Sequence, residues 1–350
     1  MRTELFDYEL PPGFIAQRPA ERREGSRLLV VDCESGDIAH RSFPDLAGYL
    51  EAGDCMVLNA SRVRHARLRG RKREGGGAVE LLLLSPRGDG TWEALARPSR
   101  RMRPGTEVSF GDGELEAEVV EKGEQGELRV RLRPGELAAV EILVEKLGEM
   151  PLPPYIREMP PDPERYQTVY ARETGSAAAP TAGLHFERAT LRELEEKGVN
   201  LAFLYLEVGL DTFRPIAEEE IEKHRIHSEH MRLDEEACEV INAAKEGGRR
   251  VVAVGTTVVR ALESAAGEGG VRPLQGATDL FIYPGFRFRA VDCLLTNFHM
   301  PRSSLLLLVC AFAGLETVME AYRQAVQEHY RFLSFGDACF FHYPSGRKES

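Results

Sequence analysis

The sequence lacks the paired cysteines that hold small secreted domains or zinc-binding domains together. Its six cysteines are scattered over 350 residues, and none forms a C-x-x-C motif. Several of them, such as Cys310, lie inside apolar runs, where buried and reduced thiols are common. This pattern favours a cytoplasmic protein that folds without disulfides.

Long apolar runs are also missing. The longest extends from Ser304 to Gly314, whereas a membrane-spanning helix needs about 20 consecutive apolar residues. The amino-terminal segment MRTELFDYELPPGF is acidic, contains Pro11 and Pro12, and lacks the apolar region of a signal peptide. We therefore expect no membrane partner.

The common nucleotide-binding, hydrolase and metal-binding motifs do not occur in the chain. There is no G-x-G-x-x-G loop, no Walker A sequence, no G-x-S-x-G elbow and no H-E-x-x-H pattern. His224, His227 and His230 share an H-x2-H-x2-H spacing, which does not place three imidazoles on one helical face. The sequence thus argues against a metal site and against the common dinucleotide, ATP and hydrolase chemistries.

The net charge is −11, which opposes non-specific coating of nucleic acid. Basic residues are nevertheless concentrated in RVRHARLRGRKR (62–73) and RPSRRMR (97–103). Two interpretations are open: a local patch that contacts RNA phosphates, or a solvated surface balanced by acidic neighbours. Charge alone does not decide between them.

The order of predicted elements indicates two domains, one of them divided in sequence. Short strands separated by glycine and proline between 66 and 132 favour a small antiparallel barrel, and the flanking regions alternate helix and strand. We therefore predict a mixed α/β main domain (1–62 and 150–345), an inserted β-barrel domain (63–149) and a polar tail (346–350). The predicted helices are 45–50, 136–147, 187–197, 234–245, 257–266, 303–312 and 317–330, and the predicted strands are 27–33, 55–59, 66–70, 79–85, 91–96, 107–110, 115–121, 127–132, 199–207, 250–254 and 280–283.

A strand, a tight turn and a helix follow one another in VVAVGTTVVRALES, residues 251–264. The free N–H groups at such a helix start, at Gly255-Thr256-Thr257, suit a carboxylate or phosphate. Arg260 lies one turn further on and is a candidate to clamp the same anion, with Glu263 beside it. The alternative is an ordinary junction with a threonine cap and a surface pair between Arg260 and Glu263.

Two further segments bring polar and aromatic residues to predicted loops. The small-residue loop 175–187 allows close backbone approach to a ligand and ends on His185 and Phe186. The segment LLTNFHMP places Asn297, Phe298 and His299 after an apolar strand, where α/β sheets bind ligands. The alternatives are a structural histidine in the first segment and an ordinary polar loop in the second.

These same segments resemble the S-adenosylmethionine:tRNA ribosyltransferase-isomerase family of queuosine biosynthesis. The resemblance covers nearly the whole chain, from residue 6 to residue 338, with long blocks in the family's order. The blocks are FDYELPPGFIAQRPAERREGSRLLVVD, GDCMVLNASRVRHARL, MPLPPYI, YQTVYA, AAPTAGLHF, VAVGTTVVRALESAA, FIYPGF, LLTNFHMP and YRFLSFGDA.

The resemblance implies that the enzyme moves and isomerises the ribosyl part of S-adenosylmethionine. The acceptor is 7-aminomethyl-7-deazaguanine at the wobble position of a tRNA anticodon loop, and adenine and methionine leave as epoxyqueuosine-tRNA forms. It implies the two-domain architecture predicted above, and no metal or cofactor beyond S-adenosylmethionine as co-substrate. We expect a monomer without an obligate protein partner.

The resemblance also implies roles for individual residues. We expect a general base or acid at His185 or His299, a methionine-carboxylate site at Gly255–Thr257 with Arg260, and aromatic surface near the sulfonium from Phe186 and Phe298. Further binding residues expected in the site are Glu263, Thr181, Gly183 and Asn297. Phosphate contacts to tRNA are expected from Arg62, Arg64, Arg67 and Arg69.

The chain departs from the family pattern in two places. EVGLDTF stands where HVG-x-GTF is usual, so Glu207 replaces a histidine and Asp211 a glycine; Glu207 is thereby a further candidate for proton transfer. In the NASRVRHARL block, Ala60 and Ser61 stand where an acidic or amide residue and Thr are more usual in the family. Two alternatives therefore stay open: a family paralogue with altered substrate or chemistry, and a non-catalytic tRNA-binding protein. A methyltransferase is disfavoured because no glycine-rich loop follows the first strand.

Overall fold

The computed structural model describes residues 1–123, 126–209 and 215–344. The chain forms two compact units. The first contains Met1–Ser61, Pro153–Glu173 and the chain from Ala179 onward, and the second contains Arg62–Leu152 and Thr174–Ala178. The mixed α/β class with an inserted barrel is confirmed, whereas the exact domain boundaries stay a prediction.

The described residues form six α-helices and nineteen strands, several of them very short. The helices are α1 (Leu137–Leu147), α2 (Arg188–Glu196), α3 (Glu235–Glu246), α4 (Thr256–Ala265), α5 (Ser304–Ala313) and α6 (Leu315–Gln327). The strands are β1 (Arg27–Asp32), β2 (Ile38–Ser42), β3 (Cys55–Asn59), β4 (Ser61–Val63), β5 (Arg67–Lys72), β6 (Ala78–Pro86), β7 (Thr91–Arg97), β8 (Glu107–Phe110), β9 (Leu115–Lys122), β10 (Glu127–Arg133), β11 (Glu173–Ser176), β12 (Asn200–Leu206), β13 (Glu229–Leu233), β14 (Val251–Val254), β15 (Ala266–Gly267), β16 (Gly270–Val271), β17 (Leu274–Thr278), β18 (Cys293–Asn297) and β19 (Ala338–His342).

The first unit is built on a nine-stranded mixed sheet. Its order is β17-β13-β12-β3-β14-β18-β19-β1-β2, and the four strands β12, β3, β14 and β18 are mutually parallel. Every residue of β3, β14 and β18 is buried, as expected for parallel strands covered on both faces. Because Val254 pairs with Leu295 in parallel register, the carboxyl ends of β14 and β18 lie side by side.

The second unit is a closed antiparallel barrel of six strands, in the order β10-β7-β6-β5-β8-β9. Buried and more exposed residues alternate along strands such as β9, which gives one face to the barrel interior and one to the surface. Closure leaves no unpaired edge in the barrel, which explains how short, glycine-punctuated strands form a stable unit.

Most predicted elements are confirmed to within a few residues, and the exceptions have local causes. The predicted strand 280–283 is irregular: the Leu280 N–H donates to the Thr278 hydroxyl instead of to a neighbouring strand. The predicted helix 45–50 is the 3-10 helix Phe43–Tyr49. Strands β2, β4, β11, β13, β15, β16, β17 and β19 were missed; β4, β11, β15 and β16 have only two to four residues, and β2, β13 and β17 lie at or next to the sheet edges, where polar residues weaken the apolar signal.

The described helices give one result on membrane spans. No single helix among them is long and apolar enough to cross a bilayer. Helices α5 and α6 together have sufficient length and apolar composition, but they are bent by 116° relative to each other.

Candidate ligand cavity at the strand ends

A cavity of about 40 Å³ opens at the carboxyl ends of β14 and β18 in the first unit. Three segments supply most of its lining: residues 179–182, residues 255–257 and residues 296–300. That volume admits roughly three water molecules. In this shape the cavity therefore accepts one end of a nucleoside-sized ligand and not the whole.

The start of α4 forms one wall of the cavity. Gly255 has φ +97° and ψ 152°, a conformation that glycine adopts without strain, and its N–H donates to the Leu295 carbonyl at 2.8 Å. The next two N–H groups, of Thr256 and Thr257, have no acceptor among the described residues. These groups carry the positive end of the helix dipole, so the wall suits an anion.

Asn297, the last residue of β18, forms a second wall and is only 2 % exposed. Its side-chain Nδ2 donates to His185 Nε2 at 3.1 Å and to the Leu333 carbonyl at 3.2 Å. No described residue donates a hydrogen bond to its buried Oδ1. The side chain is thus fixed at its nitrogen and unsatisfied at its oxygen.

His185 lies behind Asn297, outside the residues that line this cavity. Ser26 Oγ contacts its Nδ1 at 2.8 Å, and Phe43 stacks on the ring at 5.1 Å between centroids. Burial, aided by the positive charges of Arg331 and Arg23, lowers the pKa of His185 to about 3. The ring is therefore neutral near pH 7, and both of its nitrogens are engaged.

His299 does line the cavity. Its Nε2 lies 2.9 Å from the Thr296 hydroxyl, and no described residue contacts its Nδ1. The backbone is held on both sides, because the N–H donates to the Tyr322 hydroxyl and the carbonyl accepts from the Tyr8 hydroxyl. Burial lowers the pKa of His299 to about 3. It is thus a neutral imidazole with one nitrogen available to a ligand.

The structure corrects the expectation for Arg260 and Glu263. Arg260 is buried and pairs with Glu229, while its Nε donates to the Leu280 carbonyl at 2.9 Å. Glu263 accepts hydrogen bonds from the backbone N–H groups of residues 289–291. Neither residue lines the cavity, and the two do not form the surface pair of the alternative interpretation either. Both act within the structure because a buried charge needs a close partner.

The other predicted binding residues divide between the cavity and the core. Thr181 lines the cavity, and so does Phe298, whose ring packs 4.8 Å from that of Phe332. Phe186 is fully buried in the hydrophobic core and lies outside the lining. Gly183 also lies outside it; a Cβ there would come within 1.9 Å of the Tyr170 hydroxyl, so this glycine serves packing.

Two residues of the EVGLDTF segment depart from the family pattern, Glu207 and Asp211. Glu207 follows β12, is half-buried, and its N–H donates to the His230 carbonyl at 2.9 Å. The adjacent Val208 lines the cavity, whereas Glu207 does not. Asp211 lies outside the described residues. The proton-transfer role of Glu207 stays a prediction.

The basic segment of the barrel is largely engaged with acidic neighbours. Arg64 is buried over the Trp92 ring at 5.1 Å and lies 3.7 Å from Glu141. Arg67 lies 3.7 Å from Glu80, and Arg69 lies 3.1 Å from Glu149. Arg62 is half-buried. Only Arg69 of these four is strongly exposed, and the acidic neighbours of Arg64 and Arg67 favour the charge-balanced interpretation for those two.

Sequence reasoning missed the residues that hold the two histidines and Asn297 in place. Ser26, Thr296 and the Leu333 carbonyl belong to three distant segments. Thr296 was detectable, since it lies three residues before His299. Ser26 gave no local signal because 159 residues separate it from His185. Among the described residues no group of three metal-ligating side chains occurs.

These features define an α/β protein with a ligand cavity at the carboxyl ends of parallel strands and a second, barrel-forming unit. The family model described as "Queuosine biosynthesis protein" matches residues 3–341. The chain belongs to this family.

Similar proteins carry consistent names. A protein of Moorella thermoacetica named S-adenosylmethionine:tRNA ribosyltransferase-isomerase is 55 % identical over 339 residues, covering 97 % of this chain and 99 % of that one. A protein of Acetivibrio thermocellus with the same name is 50 % identical over 341 residues, with the same coverage. The crystal structure of a Thermotoga maritima S-adenosylmethionine tRNA ribosyltransferase is 38 % identical, covers 96 % of this chain and 99 % of that one, and superposes with a TM-score of 0.56.

Proposed function

We propose that the chain is an S-adenosylmethionine:tRNA ribosyltransferase-isomerase. The observation that carries this proposal is the cavity, in which helix N–H donors, an unsatisfied amide oxygen and a histidine with one available nitrogen meet. Near-complete coverage of relatives with that name, at 50–55 % identity, supports the same activity.

In the proposed reaction, the ribosyl part of S-adenosylmethionine is transferred to 7-aminomethyl-7-deazaguanine at the wobble position of tRNA. The sulfonium acidifies the adjacent ribose C5′–H, and a base removes this proton. Adenine then departs, the aminomethyl nitrogen attacks the rearranged sugar, and methionine is released. Epoxyqueuosine remains in the tRNA. We propose that this takes place in the cytoplasm, in a monomer, with no further cofactor.

We assign the proton-transfer role to His299 and not to His185. His299 lines the cavity, and its Nδ1 has no partner among the described residues. His185 has both nitrogens engaged, by Ser26 and by Asn297. A general base must reach the proton that it removes, so geometry favours His299.

We propose that tRNA is bound mainly through its anticodon loop. Single-stranded loops are recognised by stacking and by phosphate contacts. Of the predicted arginines, Arg69 is the best candidate for a phosphate contact, because its pairing with Glu149 is exposed and costs little to exchange.

A single-turnover reaction tests the proposal. Purified protein, S-adenosylmethionine and an anticodon stem-loop carrying the aminomethyl-deazaguanine are mixed, and the RNA mass and free adenine are measured. Ribosyl addition with one adenine released per product supports the proposal. Binding of both ligands without product would indicate an altered chemistry, and RNA binding without S-adenosylmethionine binding would indicate a non-catalytic RNA-binding protein.

A further inference from the structure

The Asn297 side chain has a single orientation that satisfies its surroundings. Its Nδ2 donates to two acceptors, the Leu333 carbonyl and His185 Nε2. Rotating the amide by 180° would turn Oδ1 towards those two acceptors and break both hydrogen bonds. The carbonyl oxygen is therefore fixed on the opposite side, where no described residue donates to it.

His185 can serve as an acceptor only in one neutral tautomer. Because Nε2 receives a hydrogen bond from Asn297, the ring proton lies on Nδ1 and is donated to Ser26 Oγ. The ring is buried with Phe43 stacked on its face, and burial together with the positive charges of Arg331 and Arg23 lowers the pKa of His185, so the ring does not take a second proton near pH 7. Ser26 and His185 thus hold the Asn297 amide in place.

An unsatisfied buried carbonyl oxygen is unfavourable in a folded protein, where nearly all buried polar groups find a partner. Asn297 is 2 % exposed and lines the cavity. A ligand that supplies a hydrogen-bond donor would remove this penalty.

The neighbouring wall of the cavity, at the start of α4, offers hydrogen-bond donors in place of an acceptor. Thr256 and Thr257, at the start of α4, and Asn297, at the end of β18, line the same cavity, and Val254 and Leu295, just before them, are partners on the adjacent parallel strands β14 and β18. Such strands lie roughly 4.8 Å apart. Two free N–H groups thus stand beside one free acceptor, and an α-amino acid carries a carboxylate and an ammonium group on a single carbon.

We propose that this end of the cavity binds the α-amino-acid group of S-adenosylmethionine. The N–H groups of Thr256 and Thr257 hold the carboxylate, Asn297 Oδ1 accepts from the ammonium, and His185 is a positioning residue for Asn297. This inference rests on the proposed function for the identity of the donor. The small volume of the cavity agrees with binding of one end of that molecule.

Isothermal titration without tRNA tests this assignment. Two ligands are compared: S-adenosylmethionine and its desamino analogue, in which hydrogen replaces the ammonium group. The wild-type protein should prefer the first by roughly ten- to hundredfold, the range for a lost hydrogen bond to a charged group. Asn297→Ala should abolish the preference while leaving the affinity for the analogue nearly unchanged.

Three variants separate a direct role from a structural one. Asn297→Gln keeps an amide with both a donor and an acceptor, so it should retain part of the preference. His185→Leu should reduce the preference, and His185→Gln, which keeps a donor and an acceptor, should restore part of it. Asn59→Ala is the matched control, because this buried asparagine is not among the residues that line the cavity and should affect both ligands equally.

The outcomes distinguish this inference from the proposed function. Failure of the wild-type protein to bind S-adenosylmethionine, both alone and with the anticodon stem-loop present, would reject both. Binding without a preference for the ammonium form would reject only the inference. Equal weakening of both ligands by Asn297→Ala, together with lost preference in Asn297→Gln, would reduce Asn297 to a structural role.

Discussion

Two buried asparagines end two parallel strands of the same sheet, and their surroundings differ. At the end of β3, Asn59 Oδ1 accepts from the N–H groups of Ser61 and Leu206, each at 3.1 Å, and Nδ2 donates to the Leu206 carbonyl at 2.9 Å. At the end of β18, Asn297 is satisfied only at its nitrogen. The first amide connects β3 to β12, whereas the second leaves an acceptor at the cavity.

The difference shows how one sheet serves both stability and binding. Parallel strands bring several polar residues to the same edge, because their carboxyl ends coincide. Where every polar atom has a protein partner, the residue stabilises the fold; where one atom has none, a ligand can supply it. Substitutions at the β3 end should therefore affect unfolding, and those at the β18 end should affect binding and turnover.

The largest expected effect is at the β18 end, for His299→Gln. If His299 transfers the proton, the single-turnover rate should fall by about 10²- to 10⁴-fold, the usual contribution of a general acid or base. S-adenosylmethionine affinity should change much less. His185→Gln is the matched control, and its rate should fall less because His185 acts through Asn297. A larger loss in His185→Gln would exchange the roles of the two histidines.

The next effect is at the β3 end, for Asn59→Ala. All three hydrogen bonds of a fully buried amide are lost, so the free energy of unfolding should fall by about 3 kcal/mol. Asn297→Ala should lower it less, because the oxygen removed has no partner among the described residues. Urea denaturation of both variants measures the difference. A greater loss in Asn297→Ala would contradict the division between the two strand ends.

The positions of the polar residues at the strand ends could be predicted from the sequence, but not their hydrogen-bond partners. It predicted β3 and β14 closely, and it placed Asn297, His299 and the Gly255–Thr257 turn at strand ends, where the cavity lies. Such residues are predictable because they follow apolar strands directly. The sequence did not distinguish His185 from His299, since the distinction depends on Ser26, on Asn297 and on burial.

Arg260 shows why the rest of the site was not predictable. Its position one turn into α4 suggested an anion clamp, but its partner Glu229 comes from β13, a strand that the sequence did not predict. The direction of a charged side chain depends on which buried opposite charge lies within reach. That choice is made by tertiary packing and not by local spacing.

Lowering the pH should have a moderate effect on the free energy of unfolding. The pKa values of His185 and His299 are lowered by burial from 6.5 to about 3 in the folded state. Below about pH 6.5 the unfolded chain takes up protons that the folded chain does not, so stability should decline between pH 6.5 and 3. Each histidine contributes up to roughly 1.4 kcal/mol per pH unit. His299→Gln should decrease this slope in urea titrations from pH 7 to pH 4; an unchanged slope would mean that His299 is protonated in the folded state.

The smallest expected effect is at the start of α4, which follows β14, the strand between β3 and β18. Thr256→Val and Thr257→Val remove the hydroxyls but keep the backbone N–H groups, which we propose as the carboxylate donors. The affinity for S-adenosylmethionine should therefore change by less than the value of one neutral hydrogen bond, about 1 kcal/mol. Titration of the decarboxylated analogue gives the reference, since its affinity should be low and insensitive to either substitution. A loss of more than about tenfold for S-adenosylmethionine alone would mean that the hydroxyls hold the carboxylate. The N–H groups at the start of α4 would then resemble the fully hydrogen-bonded Asn59 at the end of β3 more than the unsatisfied Asn297 at the end of β18.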